Sequence, residues 1–193
     1  MDTSDFQMFL EESLSGVSCF QVGSTMEPTL DPRLADLLLL ISRLPARPRH
    51  TFRLQTNGIL LHRHDHVKMR DAGLTILTVS DTLDPSVLKR LRGGTSLSKV
   101  KLNMTQFHKT CPHISIAFVI TVTSINIDTV DDLVRSVLDL GVTAFNLRRL
   151  FYHPSSRIVD HSQMPALLVS HEEFSEMSAQ VQAKYGSLAR FML

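Results

Sequence analysis

Between residues 114 and 150 the sequence passes through three segments of different hydrophobic period, and that alternation limits the fold more than any other feature. Residues 114–122 are nearly all apolar or β-branched, the pattern of a strand covered on both faces. Residues 128–140 then set Val130, Leu133, Val134, Val137 and Leu138 along one helical face, with Asp128 near the start and Gly141 past the end. Residues 142–150 return to strand character. A strand, an amphipathic helix and a strand in that order predict a parallel α/β sheet.

The same alternation runs through the rest of the chain. Residues 5–14 carry Phe6, Phe9, Leu10 and Leu14 at helical spacing and stop at Gly16. Residues 17–22 read as a buried strand, and residues 34–44 as a helix bracketed by Pro32 and Pro45. Residues 51–56 form a second strand closed by the turn pair Asn57-Gly58. A polar helix is expected over 62–72, ending at Gly73, and a third strand over 74–79. Asp84-Pro85 opens a helix to about residue 91, Gly93-Gly94 breaks it, and another helix spans about 96–108. The pattern loosens from Tyr152, with a terminal helix over 172–185. The predicted organisation is one domain over 1–152 and a C-terminal extension over 153–193, with a helix rather than a strand first.

With 193 residues, 43% of them apolar, the chain can fill the core of a single domain. A net charge of +1 gives no overall field for nucleic acid, and Arg43, Arg47 and Arg49 read as a solvated helix end and loop. The longest apolar run, residues 37–41, is far too short for a bilayer. The acidic start at Asp2 and Asp5 lacks the features of a signal peptide. A soluble, cytoplasmic protein is expected. Cys19 and Cys111 are too far apart for a local metal motif and read as buried free thiols. His62, His64 and His66 read as a solvated helix face rather than a metal site.

In parallel α/β folds, ligands sit at the carboxyl ends of the strands. The candidate strand-end loops are therefore residues 23–30, 56–58, 80–84, 123–126 and 146–149. Five consecutive ends carry converging polar groups. No glycine-rich dinucleotide fingerprint or phosphate loop accompanies them.

These loops, in order, resemble those of radical S-adenosylmethionine (SAM) enzymes. Residues 20–30, Phe20 to Leu30, are similar to the family's second strand and its Gly-Gly-Glu-Pro loop, with Glu27-Pro28 kept and Thr25-Met26 in place of the glycines. Asp31-Pro32-Arg33-Leu34 resembles the family's continuation from that loop into a helix. Residues 54–61, with Gln55-Thr56-Asn57-Gly58 at their centre, match the third strand and turn closely. Thr78-Val79-Ser80 resembles the fourth strand, and Leu91-Arg92-Gly93-Gly94 with Val100 and Asn103 the helix-break segment. Residues 114–126, 131–134 and 140–142 complete a match over about 5–150. The resemblance implies a partial (β/α) barrel of parallel strands that lacks the first strand. It also implies that Thr25, Met26 and Glu27 meet the methionyl amine of SAM, that Ser80 reaches the ribose or carboxylate, and that Thr56 and Asn126 lie on the adenosyl side. Arg148 is implied as a carboxylate partner. Read without the resemblance, Glu27 before a proline also suits a residue that fixes a turn.

The family's chemistry needs a Cys-x-x-x-Cys-x-x-Cys loop, whose thiolates hold a [4Fe–4S] cluster that passes the electron for SAM cleavage to a 5′-deoxyadenosyl radical. That motif is missing; the chain opens at the helix that would come after it. The expected reading is a fragment or truncated form of a radical SAM enzyme, inactive alone, with SAM as partner and an unread substrate. The alternative is a cluster-less binding or scaffold module. Loss of the first strand is expected to open the flank of residues 17–22 to a partner or to self-association, and residues 152–193 carry no cysteine for a second cluster.

Overall fold

The alternation read from the sequence becomes one sheet whose strands keep chain order. In the computed structural model, which describes residues 3–14, 17–23, 26–44, 51–80, 97–151 and 164–192, these are β1 (Cys19–Val22), β2 (Thr51–Thr56), β3 (Ile76–Ser80), β4 (Ser115–Val122), β5 (Val142–Arg149) and β6 (Arg190–Met192). The β1–β2, β2–β3 and β5–β6 ladders are parallel. Helix α1 (Thr3–Ser13) precedes β1, and between the strands lie α2 (Leu34–Arg43), α3 (His66–Asp71), α4 (Leu97–Thr110), α5 (Val130–Leu138) and α6 (His171–Tyr185). The expected parallel α/β architecture is the one observed. Among the described residues no helix is long and apolar enough to cross a membrane.

The chain divides into two compact units, residues 1–79 with 99–116, and residues 80–98 with 117–193. In the first, α2 buries Leu34, Ala35, Leu38 and Ile41, the i, i+1, i+4, i+7 stripe of a helix laid on a core. Strand β2 alternates strictly: Phe52, Leu54 and Thr56 are buried, whereas Thr51, Arg53 and Gln55 are half-buried. Full burial of Leu54 contributes about 2 kcal/mol. In the second unit, β4 is buried along five consecutive residues, so both its faces are covered. Helix α5 buries Val130, Val134 and Val137 along one side.

Several local expectations need correction. Strand β1 is not buried: it ends the sheet order, and its residues alternate between exposed and half-buried. Cys19 is accordingly exposed, while Cys111 is buried as expected. The polar helix expected over 62–72 is broken into a 3-10 turn, Leu61–Arg63, and the shorter α3. The cause is Asp65, which stays extended (φ −73°, ψ 101°) and accepts the N–H groups of Val67 and Lys68 as an N-cap. The histidines there do not form a solvated face, since only His62 is exposed while His64 is buried and His66 half-buried. Asp128 falls in a 3-10 turn, Ile127–Thr129, ahead of α5. The terminal helix starts at a capping box, in which Ser170 accepts the Glu173 N–H and Glu173 accepts the Ser170 N–H. Strand β6, not anticipated, pairs Ala144 with Arg190 and Phe145 with Phe191, whose rings stack 5.2 Å apart. The helix expected over 84–91, the glycine break at 93–94, and Arg47 and Arg49 lie outside the described residues.

Candidate functional site

The strongest concentration of polar contacts at the strand ends is in the first unit, where β1 and β2 finish side by side. Gly23 turns the chain out of β1 at φ 81°. A Cβ there would lie 2.3 Å from the Gln55 carbonyl oxygen and 2.8 Å from Pro28, so only glycine lets the loop fold back this closely. Glu27 then caps the 3-10 turn Pro28–Leu30. Its Oε1 accepts the Thr29 N–H at 3.1 Å, the Thr29 hydroxyl at 2.5 Å and the Thr56 hydroxyl at 2.6 Å. Its Oε2 accepts the Asn57 N–H at 2.7 Å. One carboxylate thus joins the loop after β1 to the end of β2.

The turn after β2 is fixed as firmly. Gly58 N–H donates to Thr56 Oγ1 at 3.0 Å, and Ile59 N–H to Asn57 Oδ1 at 3.0 Å. From α4, Asn103 Nδ2 donates to the Gly58 and Ile59 carbonyls at 2.8 and 2.9 Å. Behind the Glu27 turn, His64 Nε2–H donates to the Thr29 carbonyl at 3.0 Å. That bond sets the tautomer and leaves Nδ1 buried without a partner. Asp31 accepts Arg33 through backbone and guanidinium at 2.8 to 3.1 Å, and those bonds hold its carboxyl down at about 2.

The sequence candidates divide between the strand ends of both units. Glu27 and Thr56 are bonded directly, with Thr56 only 2% exposed. Met26 stands 78% exposed beside them. Thr25 lies outside the described residues, and Ser80 is the last residue of β3. In the second unit Asn126 is buried just past β4. Its Oδ1 accepts the Thr123 N–H at 2.7 Å and the Thr123 hydroxyl at 3.2 Å, and its Nδ2 donates to the Thr121 carbonyl at 3.0 Å. Arg148, near the end of β5, is exposed and donates to Asn146 Oδ1 at 3.1 Å. Sequence reasoning passed over Thr29, His64 and Asn103 as site residues. Asn103 had a readable signal: it interrupts the apolar stripe Val100, Met104 and Phe107 of α4, and a polar residue on a buried stripe needs partners.

The class these features define is a parallel α/β protein that braces its strand-end loops with buried hydrogen bonds, as small-ligand sites in such folds require. No family model matches the chain. Over 69 residues it is 41% identical to a probable GTP 3′,8-cyclase of Methanococcus aeolicus, covering 35% of this chain and 23% of that protein. Among solved structures it is similar to Streptococcus suis SuiB bound to S-adenosylmethionine, with a TM-score of 0.76 at 13% identity over 100% of this chain and 43% of SuiB. A domain of a pyruvate-formate lyase-activating enzyme from Bacteroides vulgatus gives a TM-score of 0.62 at 15% identity, over 92% of this chain and 98% of the domain. These neighbours are radical SAM enzymes, and the chain carries their fold. It spans less than half of SuiB and about a quarter of the cyclase.

The thiols present do not fit an iron–sulfur cluster. The chain has two cysteines, where a cluster of this kind needs three thiolates. Cys19 opens β1 and Cys111 precedes β4, so both stand at the amino ends of strands, away from the loops Glu27 braces. Burial pushes the Cys111 thiol up to about 11, and its S–H donates to the His66 carbonyl at 3.3 Å. It is a protonated core residue, unsuited to metal. Among the described residues no three His, Cys, Asp or Glu side chains gather as a metal site.

Proposed function

We propose that this chain forms the SAM-cradling part of a radical SAM enzyme and holds no cluster of its own. The observation that carries the reading is the Glu27 carboxylate. It is locked between two strand-end loops, yet among the described residues its Oε2 accepts a single N–H, and a carboxylate oxygen has room for a second donor. An ammonium group such as the methionyl amine of SAM suits that oxygen. By resemblance, Thr25 and Met26 supply backbone carbonyls to the same amine. Ser80 serves the ribose or carboxylate, Thr56 and Asn126 shape the adenosyl side, and Arg148 pairs with a carboxylate. Thr56 and Asn126 do so through the loops they hold, because their own polar atoms are already engaged.

With two cysteines, one of them a buried thiol, the chain does not cleave SAM reductively by itself. Whether it works as part of a longer enzyme or as a cluster-less binding module, the SAM-facing loops have the same task. Equilibrium dialysis with labelled SAM tests it. Saturable binding is expected, weakened roughly tenfold or more in Glu27→Gln, for loss of a charge-assisted bond. Absence of saturable binding to the folded chain would sink the proposal. Anaerobic treatment with iron and sulfide is expected to yield no stable cluster absorbance.

A further inference from the structure

One face of the first unit's sheet is polar where a packed α/β sheet is ordinarily apolar. The register sets Gln21 of β1 beside Arg53 of β2, Arg53 beside Ile76 of β3, and Gln55 beside Thr78. Side chains alternate along a strand, so Gln21, Arg53, Gln55 and Thr78 share this face, and Phe52, Leu54 and Thr56 share the other. The face is reached from its Gln21 side: Gln21 is exposed, Arg53 and Gln55 are half-buried, and Thr78 is buried.

Among the described residues the polar groups there lack a charged acceptor, since the Gln21 amide oxygen beside them is neutral. Gln21 Nε2 donates to Gln55 Oε1 at 2.9 Å and to the Gly23 carbonyl at 3.1 Å. That bond uses the Gln55 oxygen and leaves its amide N–H groups as donors. Thr78 is buried and adds a hydroxyl. Arg53 has no carboxylate partner among the described residues, and its Nε is buried without any hydrogen bond. A guanidinium cannot shed its charge, and an N–H shielded from water without an acceptor is unfavourable. What would complete the cluster is an anion.

We propose that this face binds a carboxylate of the substrate, with Arg53 as its cationic partner and Gln55 and Thr78 as neutral donors. The assignment rests on the SAM-binding reading and deepens it by naming a substrate class, an amino acid or peptide bearing a carboxylate. A carboxylate fits better than a phosphate. One guanidinium balances a single negative charge and matches the planar two-oxygen edge, whereas a phosphate dianion would meet one cation among neutral amides.

The test tracks the Nε–H resonance of Arg53 in the ¹⁵N-labelled full chain, assigned by its loss in Arg53→Gln. Sodium acetate and N-acetylglutamate are titrated, with acetamide as neutral control and inorganic phosphate as a second arm. A saturable shift with both carboxylates, none with acetamide, and a clearly higher midpoint for phosphate are expected. No saturable shift with carboxylate, or tighter binding of phosphate, would overturn the proposal. If Arg53→Gln fails to fold, loss of the resonance in Arg53→Lys supplies the assignment, and the wild-type titration still decides the matter. Labelled SAM is then dialysed against wild type and Thr78→Val. Weaker N-acetylglutamate binding with SAM uptake unchanged supports a separate substrate site. Parallel loss of both overturns it, because the face would then serve the carboxylate of SAM itself. A wild-type chain that takes up no SAM defeats the SAM reading alone, and the acetate titration still stands or falls by itself.

Discussion

After β4, Asn126 holds its turn through bonds to residues no more than five positions away, whereas after β1 the Glu27 carboxylate reaches a loop thirty residues downstream. The first brace is local: it forms with its own turn and shapes one loop. The second is long-range, and it exists only when β1 and β2 are already paired. A ligand contact built on Glu27 is therefore positioned by tertiary structure, and its loss is felt by two loops at once. The sheet's polar and apolar faces differ in the same sense, since Leu54 is served by the core while the Arg53 Nε is buried without a hydrogen bond.

Replacing Glu27 with Ala strips four hydrogen bonds from one position and is expected to have the largest effect, about 3 kcal/mol in urea unfolding. Amide exchange should quicken at both Thr29 and Asn57. Quickening at Thr29 alone would mean the brace is local after all. Asn103→Ala comes next, at about 2 kcal/mol, because the carbonyls of Gly58 and Ile59 lose their donor. It should loosen the turn after β2 without disturbing Thr123. Asn126→Ala is expected to cost about 1 kcal/mol, with faster exchange confined to Thr123 and Ile125.

The two cysteines sharpen the contrast between edge and core. Iodoacetamide is expected to label exposed Cys19 in the folded chain and Cys111 only after denaturation, read by mass spectrometry. Equal labelling would mean the thiol against His66 is accessible. The smallest effect concerns Asp31. Its carboxyl is depressed from 3.8 to about 2 by hydrogen bonds from Arg33, so it contributes stability above the unfolded value and loses it as pH falls through the folded one. Asp31→Asn should therefore be slightly less stable than wild type near neutrality. That gap should close between about pH 4 and pH 2, and it should be small because the pair is solvent-exposed.

Much of the fold was legible because the hydrophobic period changes sharply between elements. Strand β2 occupies the residues expected of it, since a β-branched start and an Asn-Gly turn bound it on both sides. The helix over 62–72 was misjudged because helical composition outweighed Asp65, whose side chain prefers to cap. Strand β6 has three residues and no periodic signal; it exists through its pairing with β5. Cys19 was misjudged because apolar neighbours do not reveal whether a strand lies inside the sheet or at its end. At the site, Glu27 was readable as a turn residue from its place before Pro28, and as a ligand contact only through the family resemblance. Its bonds to Thr56 and Asn57 were not, because a partner thirty residues away leaves no local pattern.

The parallel ladders bear on how the chain acquires its structure. None of β1–β2, β2–β3 and β5–β6 is a hairpin; each pairing waits for an intervening crossover segment to settle. Contacts so distant in sequence are paid for in loop entropy before they give anything back. Refolding in the millisecond-to-second range is expected rather than microseconds, with the apolar stretch of β4 the segment most in need of shielding meanwhile.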